Sequence, residues 1–145
     1  QEECLKNLLE YIKENDLQAL FILSPTVMEE EKQKMYNYIE DIVNASGYEF
    51  LNMNDYYSEL GLDFAADFSD YGGHVNGVGA QKCTAFLSSY IAKNYGLEDK
   101  RGEMGFESWD AAYEQWKQEL EEAKKTIAKH IEEKDFADAP VEEPE

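Results

Sequence analysis

The feature that most constrains the fold is a short apolar run, an amphipathic helical segment and a second short apolar run, in succession within residues 17–51. The first run, 17–23, is nearly continuous and stops at Ser24-Pro25, which is typical of a strand buried on both faces. The middle segment repeats apolar residues at helical spacing and stops at Ser46-Gly47. Residues 48–51 form the second run. This order predicts a βαβ unit with parallel strands, and therefore an α/β fold.

Helical periodicity predicts about four helices in total. One covers Leu5 to Ile12, one is the crossover of the βαβ unit, and the others span about 79–95 and 109–133. The crossover helix follows Thr26 and Glu29, which resemble a capping box. Asn76 and Ser108 are the candidate N-terminal caps of the two later helices, and Gly96 marks the end of the third. Residues 1–131 are expected to belong to one domain, followed by an acidic, disordered tail at 132–145.

Two strands are too few for a free-standing sheet, since sheets commonly contain about 4–6 strands. Two explanations are open. Either the chain is the C-terminal part of a larger α/β protein, or it completes its sheet with another copy of itself. The second explanation makes the chain a homo-oligomer, and the first predicts association with a missing N-terminal part.

The charge balance limits the classes of partner. The chain has a formal net charge of −19 and a sequence pI of about 4.3, with no basic patch. A phosphate backbone requires a basic surface, so nucleic acid and anionic lipid are excluded as partners. No apolar run approaches the ~18 residues of a membrane span. Cys4 and Cys83 match no metal-binding spacing, and they are expected to be buried thiols or, in an exported protein, a disulfide.

Residues 67–80 carry the strongest indication of chemistry. Asp70 precedes His74, one of only two histidines, within a loop that contains several glycines and leads into a helix. Such a loop can hold a carboxylate against an imidazole, which is two thirds of a Ser-His-Asp site. His74 is the candidate general base and Asp70 the acid that orients it. A serine on a glycine-flanked turn, the remaining third, is not recognisable in the sequence.

These residues resemble a known family. The matching segments are Asp67-Phe68-Ser69-Asp70, His74-Val75-Asn76 and Gly79-Ala80-Gln81-Lys82. Together they are similar to the last conserved block of the SGNH/GDSL-type hydrolases, in a bacterial, envelope-associated branch, and the likeness spans roughly residues 5–116. The resemblance implies a three-layer α/β/α, flavodoxin-like fold, represented here by a C-terminal partial domain. It also implies an ester hydrolase or O-acyltransferase that acts on an acylated carbohydrate or lipid ester, with an extracellular or cell-envelope location and no cofactor.

The chain departs from that family pattern at two points. Three residues, Tyr71-Gly72-Gly73, separate Asp70 from His74 where the family has two. Asp67 is a second candidate for orienting the histidine, and Asn76 and Gly73 are supporting residues of the loop. The Gly-Asp-Ser block is missing, so the nucleophile is expected to lie outside this chain. The alternative is a non-catalytic, acidic interaction or structural module with a degenerate hydrolase fold.

Two further features carry weaker indications. Trp109, Tyr113 and Trp116 share one face of the predicted fourth helix, where they are expected to pack in the core or to stack on a sugar ring. His130 is expected to be an ordinary packing or surface histidine. No metal site is expected, because no second histidine or cysteine lies near His74 in sequence.

Overall fold

The structure is a computed structural model that describes residues 2–69 and 72–132. The fold is mixed α/β and mostly helical, with small sheets only. The chain divides into two compact units, Gln1–Tyr57 and Ser58–Glu145. The extent of a single domain at 1–131 stays a prediction.

The first unit contains the predicted βαβ arrangement. Helix α1 (Glu2–Glu14) precedes strand β1 (Leu20–Leu23), helix α2 (Glu30–Ala45) and strand β2 (Glu49–Asn52). The two strands are parallel, and their register runs from Leu20 opposite Glu49 to Leu23 opposite Asn52. The prediction of a parallel βαβ unit is therefore confirmed. The buried apolar residues of this unit are Leu9, Ile12, Val43, Leu51 and Met53.

Two details of the first unit differ from the prediction. Strand β1 begins at Leu20 rather than at residue 17, and its Ile22 is 40% exposed. Two-sided burial was therefore wrong, because the face of β1 that carries Ile22 is left partly open to solvent. The capping box was also wrong. Helix α2 starts after Glu29 without a side-chain cap, and the Thr26 backbone N–H donates to Asn54 Oδ1 at 2.9 Å.

Short elements lead from β2 into the second unit. A 3₁₀ turn at Met53–Tyr56 is followed by helix α3 (Tyr57–Leu60). The Asn52 side chain supports the turn by accepting from the Asn54 backbone N–H at 3.1 Å. Helix α4 (Phe64–Asp67) and strands β3 (Phe68–Ser69) and β4 (His74–Val75) come next. None of these three elements was predicted from the sequence.

Two long helices complete the second unit. Helix α5 (Gly77–Tyr95) has Asn76 as its N-cap and ends at Gly96, whose φ of 63° is in the left-handed region, so both predicted boundaries are confirmed. Helix α6 (Glu107–Glu132) begins before the predicted cap Ser108, so that cap was wrong. Helices α4, α5 and α6 pack against one another. The buried apolar residues of this unit are Leu60, Leu62, Phe68 and Leu120.

The aromatic face of α6 is more exposed than a core position would be. Trp109 is 75% exposed and Tyr113 is 48% exposed. Core packing was therefore the wrong interpretation for these two residues. Helix α6 instead contacts the rest of the unit through the buried Leu120. A Cβ atom added to Gly77 of α5 would lie 3.5 Å from Leu120 Cδ1, so the two helices are close at this point.

The remaining expectations concern the C-terminus and membranes. Glu132 is the last residue of α6, and the rest of the predicted acidic tail lies outside the described residues. Across the described ranges, no helix combines the length and the apolar character that crossing a bilayer requires.

Candidate functional site

The candidate site is built on a short antiparallel ladder between α4 and α5. Phe68 pairs with Val75, and Ser69 pairs with His74. The ladder places His74 two residues before Asn76, the N-cap of α5. The peptide chain is therefore fixed on both sides of His74, by strand pairing and by the start of a 19-residue helix.

His74 is exposed, and its backbone is held by the neighbouring strand. The Ser69 hydroxyl donates to the His74 carbonyl oxygen at 3.2 Å. Gly72, two residues before His74, has φ of 92° and is buried. The backbone conformation that only glycine adopts easily therefore falls on Gly72, whereas the exposed Gly73 was the glycine predicted to support the loop. Asp70, the predicted orienting acid, lies outside the described residues.

Asn76 connects three segments of the site. Its Oδ1 accepts from the backbone N–H groups of Val78 at 2.9 Å and Gly79 at 3.1 Å, which caps α5. Its Nδ2 donates to the carbonyl oxygens of Ala66 at 2.8 Å and Phe68 at 3.3 Å. An asparagine is suited to this position because its amide both accepts and donates hydrogen bonds. The predicted N-cap is therefore confirmed, whereas the supporting role of Asn76 in a catalytic loop stays a prediction.

The first turn of α5 approaches the backbone of Asp67 very closely. A Cβ built on Gly79 would lie 2.3 Å from the Asp67 carbonyl oxygen and 3.1 Å from the Val75 Cβ. The same carbonyl oxygen accepts from the Asn76 backbone N–H at 2.9 Å. A side chain at position 79 would separate α5 from this strand end, so the approach requires glycine.

Asp67 is fully buried and pairs with a lysine of α5. Its Oδ2 accepts from the Asp63 backbone N–H at 2.6 Å and from Lys82 Nζ at 2.5 Å. Lys82 Nζ also donates to the Gly61 carbonyl oxygen at 2.7 Å. Asp67 Oδ1 accepts no hydrogen bond from any described residue. Asp67 thus fixes the loop through Lys82 and the Asp63 backbone, and no hydrogen bond within the described part of the chain links it to His74.

Sequence reasoning placed Lys82 in the conserved block but gave it no role. The spacing offered a usable signal, because Gly79 and Lys82 lie three residues apart on one helix and therefore share a face. The glycine that approaches Asp67 and the cation that pairs with it thus lie on the same side of α5.

The charge on Asp67 also affects a neighbouring thiol. Burial raises the pKa of Cys83, and the nearby Asp67 carboxylate raises it further, because both disfavour the thiolate. Cys4 and Cys83 are both free thiols in the structure. Among the described residues, no group of three or more His, Cys, Asp or Glu side chains is placed to hold a metal ion.

Comparisons with protein-family models, with curated proteins and with solved structures found no match for this chain. A functional conclusion therefore depends on the residues and geometry described above.

Proposed function

We propose that this chain carries the histidine and aspartate part of an ester hydrolase or O-acyltransferase site, and that polypeptide outside this chain supplies the serine nucleophile. The three-layer, flavodoxin-like fold belongs to the same proposal. The parallel βαβ unit, followed by a histidine-bearing loop and a capped helix, is the order of elements expected in the SGNH-like architecture. The substrate would be an acylated carbohydrate or a lipid ester.

The observation that carries the proposal is the presentation of His74. Its side chain is exposed, while its backbone is held by the β3–β4 ladder and by the Asn76 cap that follows. A general base must reach its proton in a fixed geometry, and supporting hydrogen bonds provide that fixation. An ordinary surface histidine such as His130, in the last turn of α6, has no comparable support from a ladder and a cap.

The proposed chemistry assigns a role to each residue of the loop. The His74 imidazole would take the proton from the serine hydroxyl as the serine oxygen bonds to the acyl carbonyl carbon. It would then give that proton to the alcohol oxygen as the ester bond breaks. Water or another hydroxyl would reverse the sequence on the acyl-enzyme, giving hydrolysis or acyl transfer respectively. Asp70 would orient the imidazole, and Asn76 with Asp67 would hold the loop in place.

A serine-directed fluorophosphonate probe tests this proposal, because an activated serine displaces fluoride from phosphorus and becomes covalently labelled. The polypeptide as its source cell makes it should be labelled, and the isolated 145-residue chain should not. In the source polypeptide, His74→Gln should slow labelling by roughly 10²–10⁴-fold, the usual contribution of a general base. His130→Gln is the matched control and should leave the rate unchanged. An unlabelled source polypeptide, or labelling that does not depend on His74, would refute the proposal.

A non-catalytic interaction module is the second candidate, and a separate observation favours it. Apolar side chains on and beside β1 are exposed in the first unit, among them Leu17, Ile22 and Val27. Contiguous exposed apolar surface often marks a contact with another protein. An unlabelled source polypeptide that forms a stable complex or a homo-oligomer would support this candidate instead.

A further inference from the structure

A cleft lies between helices α5 and α6 of the second unit. It encloses about 760 Å³ and is lined by both helices and by residues of the segment 97–101. Its described lining begins at Gln81 and includes no residue of β3 or β4, so it is separate from the loop that carries His74. Pockets of about 300–1,000 Å³ are the size class that binds small organic ligands. The cleft therefore has the dimensions of a ligand site.

The wall formed by α5 is uncharged and combines polar side chains with the apolar Ile91 and two alanines. Gln81, Thr84 and Ser88 all line the cleft and are exposed. Their spacing of three and four residues places them on one face of the helix. Ala85 and Ala92 line the same wall, and their small side chains leave the space above them open. Helix α5 thus offers one amide and three hydroxyls, because Ser89 also lines the cleft, although the Ser89 hydroxyl already donates to the Ala85 carbonyl oxygen at 3.0 Å.

The wall formed by α6 is aromatic. Tyr113 and Trp116 line the cleft, with ring centroids 5.9 Å apart and ring planes inclined by only 21°. Lys117 Nζ lies 5.0 Å from the Tyr113 ring centroid, which helps to hold that ring in place. The two rings therefore stack at a shallow angle and form a partly exposed aromatic cluster on the α6 side of the cleft.

The charged groups at the end of the cleft are paired with each other. Glu98 accepts from Lys100 Nζ at 2.7 Å, and Asp99 accepts from Arg101 Nε at 2.8 and 2.9 Å. Arg101 holds the pKa of Asp99 at about 2, so this pair stays ionised at neutral pH. Each carboxylate is therefore already paired with a cation. A charged ligand would find no unpaired opposite charge at this end of the cleft.

We propose that this cleft binds a neutral saccharide. The apolar C–H face of a sugar ring would lie on Tyr113 and Trp116, and its hydroxyls would bond Gln81, Thr84 and Ser88. A sugar ring combines apolar C–H groups with many hydroxyls, which matches an aromatic cluster opposite a wall that carries an amide and hydroxyls, whereas a lipid chain could not hydrogen-bond those polar groups. This inference goes beyond the ester chemistry and does not depend on it.

The chain contains its own internal control for a binding experiment. Its only two tryptophans are Trp116, which lines the cleft, and Trp109, on the same helix and outside the described lining. The ¹⁵N-labelled full chain therefore gives two indole N–H signals, assigned with Trp109→Phe. Cellobiose, maltose, xylobiose and N,N′-diacetylchitobiose are each added in a titration. We expect the Trp116 signal to shift saturably with at least one of them while the Trp109 signal stays in place.

Two variants of α5 separate binding in the cleft from a general effect on the helix. Thr84→Leu removes a hydroxyl and places a bulky apolar group at an exposed helical position that leucine tolerates. It should weaken binding by roughly 10-fold or more, with unchanged helical circular dichroism. Lys93→Leu changes the same helix outside the described lining and should leave the affinity unchanged.

Three results would overturn the proposal. One is the absence of a saturable Trp116 shift with every disaccharide in the panel. Another is an equal shift of both tryptophan signals, which means nonspecific association. The third is a saturable shift with tetramethylammonium or inorganic phosphate and none with the disaccharides, which would assign the cleft to a charged ligand.

Discussion

Gly79→Ala tests whether the close approach of α5 to Asp67 holds the candidate site together. The new Cβ would lie 2.3 Å from the Asp67 carbonyl oxygen, a backbone atom that cannot rotate away. Overpacking of this kind costs about 1–3 kcal/mol, and we expect the upper end of that range because the contact is with backbone. The displaced carbonyl would also weaken its 2.9 Å hydrogen bond with the Asn76 N–H, at a cost of about 1 kcal/mol. The better helix propensity of alanine recovers about 1 kcal/mol.

The net expectation is a loss of about 2–3 kcal/mol from the free energy of unfolding of the second unit. Both tryptophans of the chain lie in α6 of that unit, so urea unfolding followed by tryptophan fluorescence reports on it directly. With a slope of about 1–3 kcal/mol per molar urea, the midpoint should fall by roughly 1–2 M.

Gly77→Ala is the matched control, two residues earlier in the same helical turn. Its Cβ would meet only Leu120 Cδ1, at an ordinary 3.5 Å. The same substitution should therefore be neutral or stabilising by up to about 1 kcal/mol. If Gly79→Ala proves as stable as Gly77→Ala, the proposed close contact between α5 and Asp67 does not exist in solution.

Three further predictions concern the same loop. Asn76→Asp keeps the helix cap but replaces the amide donor that reaches the Ala66 and Phe68 carbonyl oxygens with a carboxylate oxygen. Urea unfolding should show a loss of about 2 kcal/mol in the free energy of unfolding. If Asn76 acted only as a helix cap, the substitution would cause no loss, because aspartate caps a helix equally well. Lys82→Met leaves the buried Asp67 carboxylate without its cation and should lower the free energy of unfolding by about 2–3 kcal/mol. The loss is smaller than for a fully buried pair because the Lys82 side chain is 34% exposed. The double variant with Asp67→Asn should recover part of that loss, and no recovery would contradict the pairing. The raised pKa of Cys83 means that the folded state holds the thiol proton more tightly than the unfolded state, so this stabilisation is present below the unfolded pKa and is lost as pH rises through the folded one. Urea unfolding at about pH 8 and about pH 10 should therefore show a smaller alkaline loss for Cys83→Ala than for the unchanged chain, and equal losses would contradict the shift.

Features that depend on neighbours in sequence were predictable. The parallel βαβ unit was read from two apolar runs around an amphipathic helix, and the Asn76 cap and Gly96 stop were read from single residues at a helix boundary. These signals are local, because a cap and a helix end satisfy backbone groups within a few residues of themselves.

Features that depend on distant residues were not predictable. Strand β1 was expected to be buried on both faces, yet Ile22 is 40% exposed, because burial depends on which other elements cover the sheet. Thr26 and Glu29 matched a capping box, but the Thr26 N–H is bonded by Asn54, a residue 28 positions away. A local motif fails when a tertiary contact satisfies the same group.

The sequence by itself determined which residue of the loop is the candidate base. The single histidine near Asp67 and Asp70, the glycines around it and the helix that follows restrict the candidate base to His74. Only the tertiary structure decided which carboxylate has which partner, and it assigned Asp67 to Lys82. The tertiary structure also separated the aromatic residues of α6 from the core and placed Tyr113 and Trp116 beside a cleft. Periodicity fixes the face of a helix on which a side chain lies, whereas packing between helices decides whether that face meets protein or solvent.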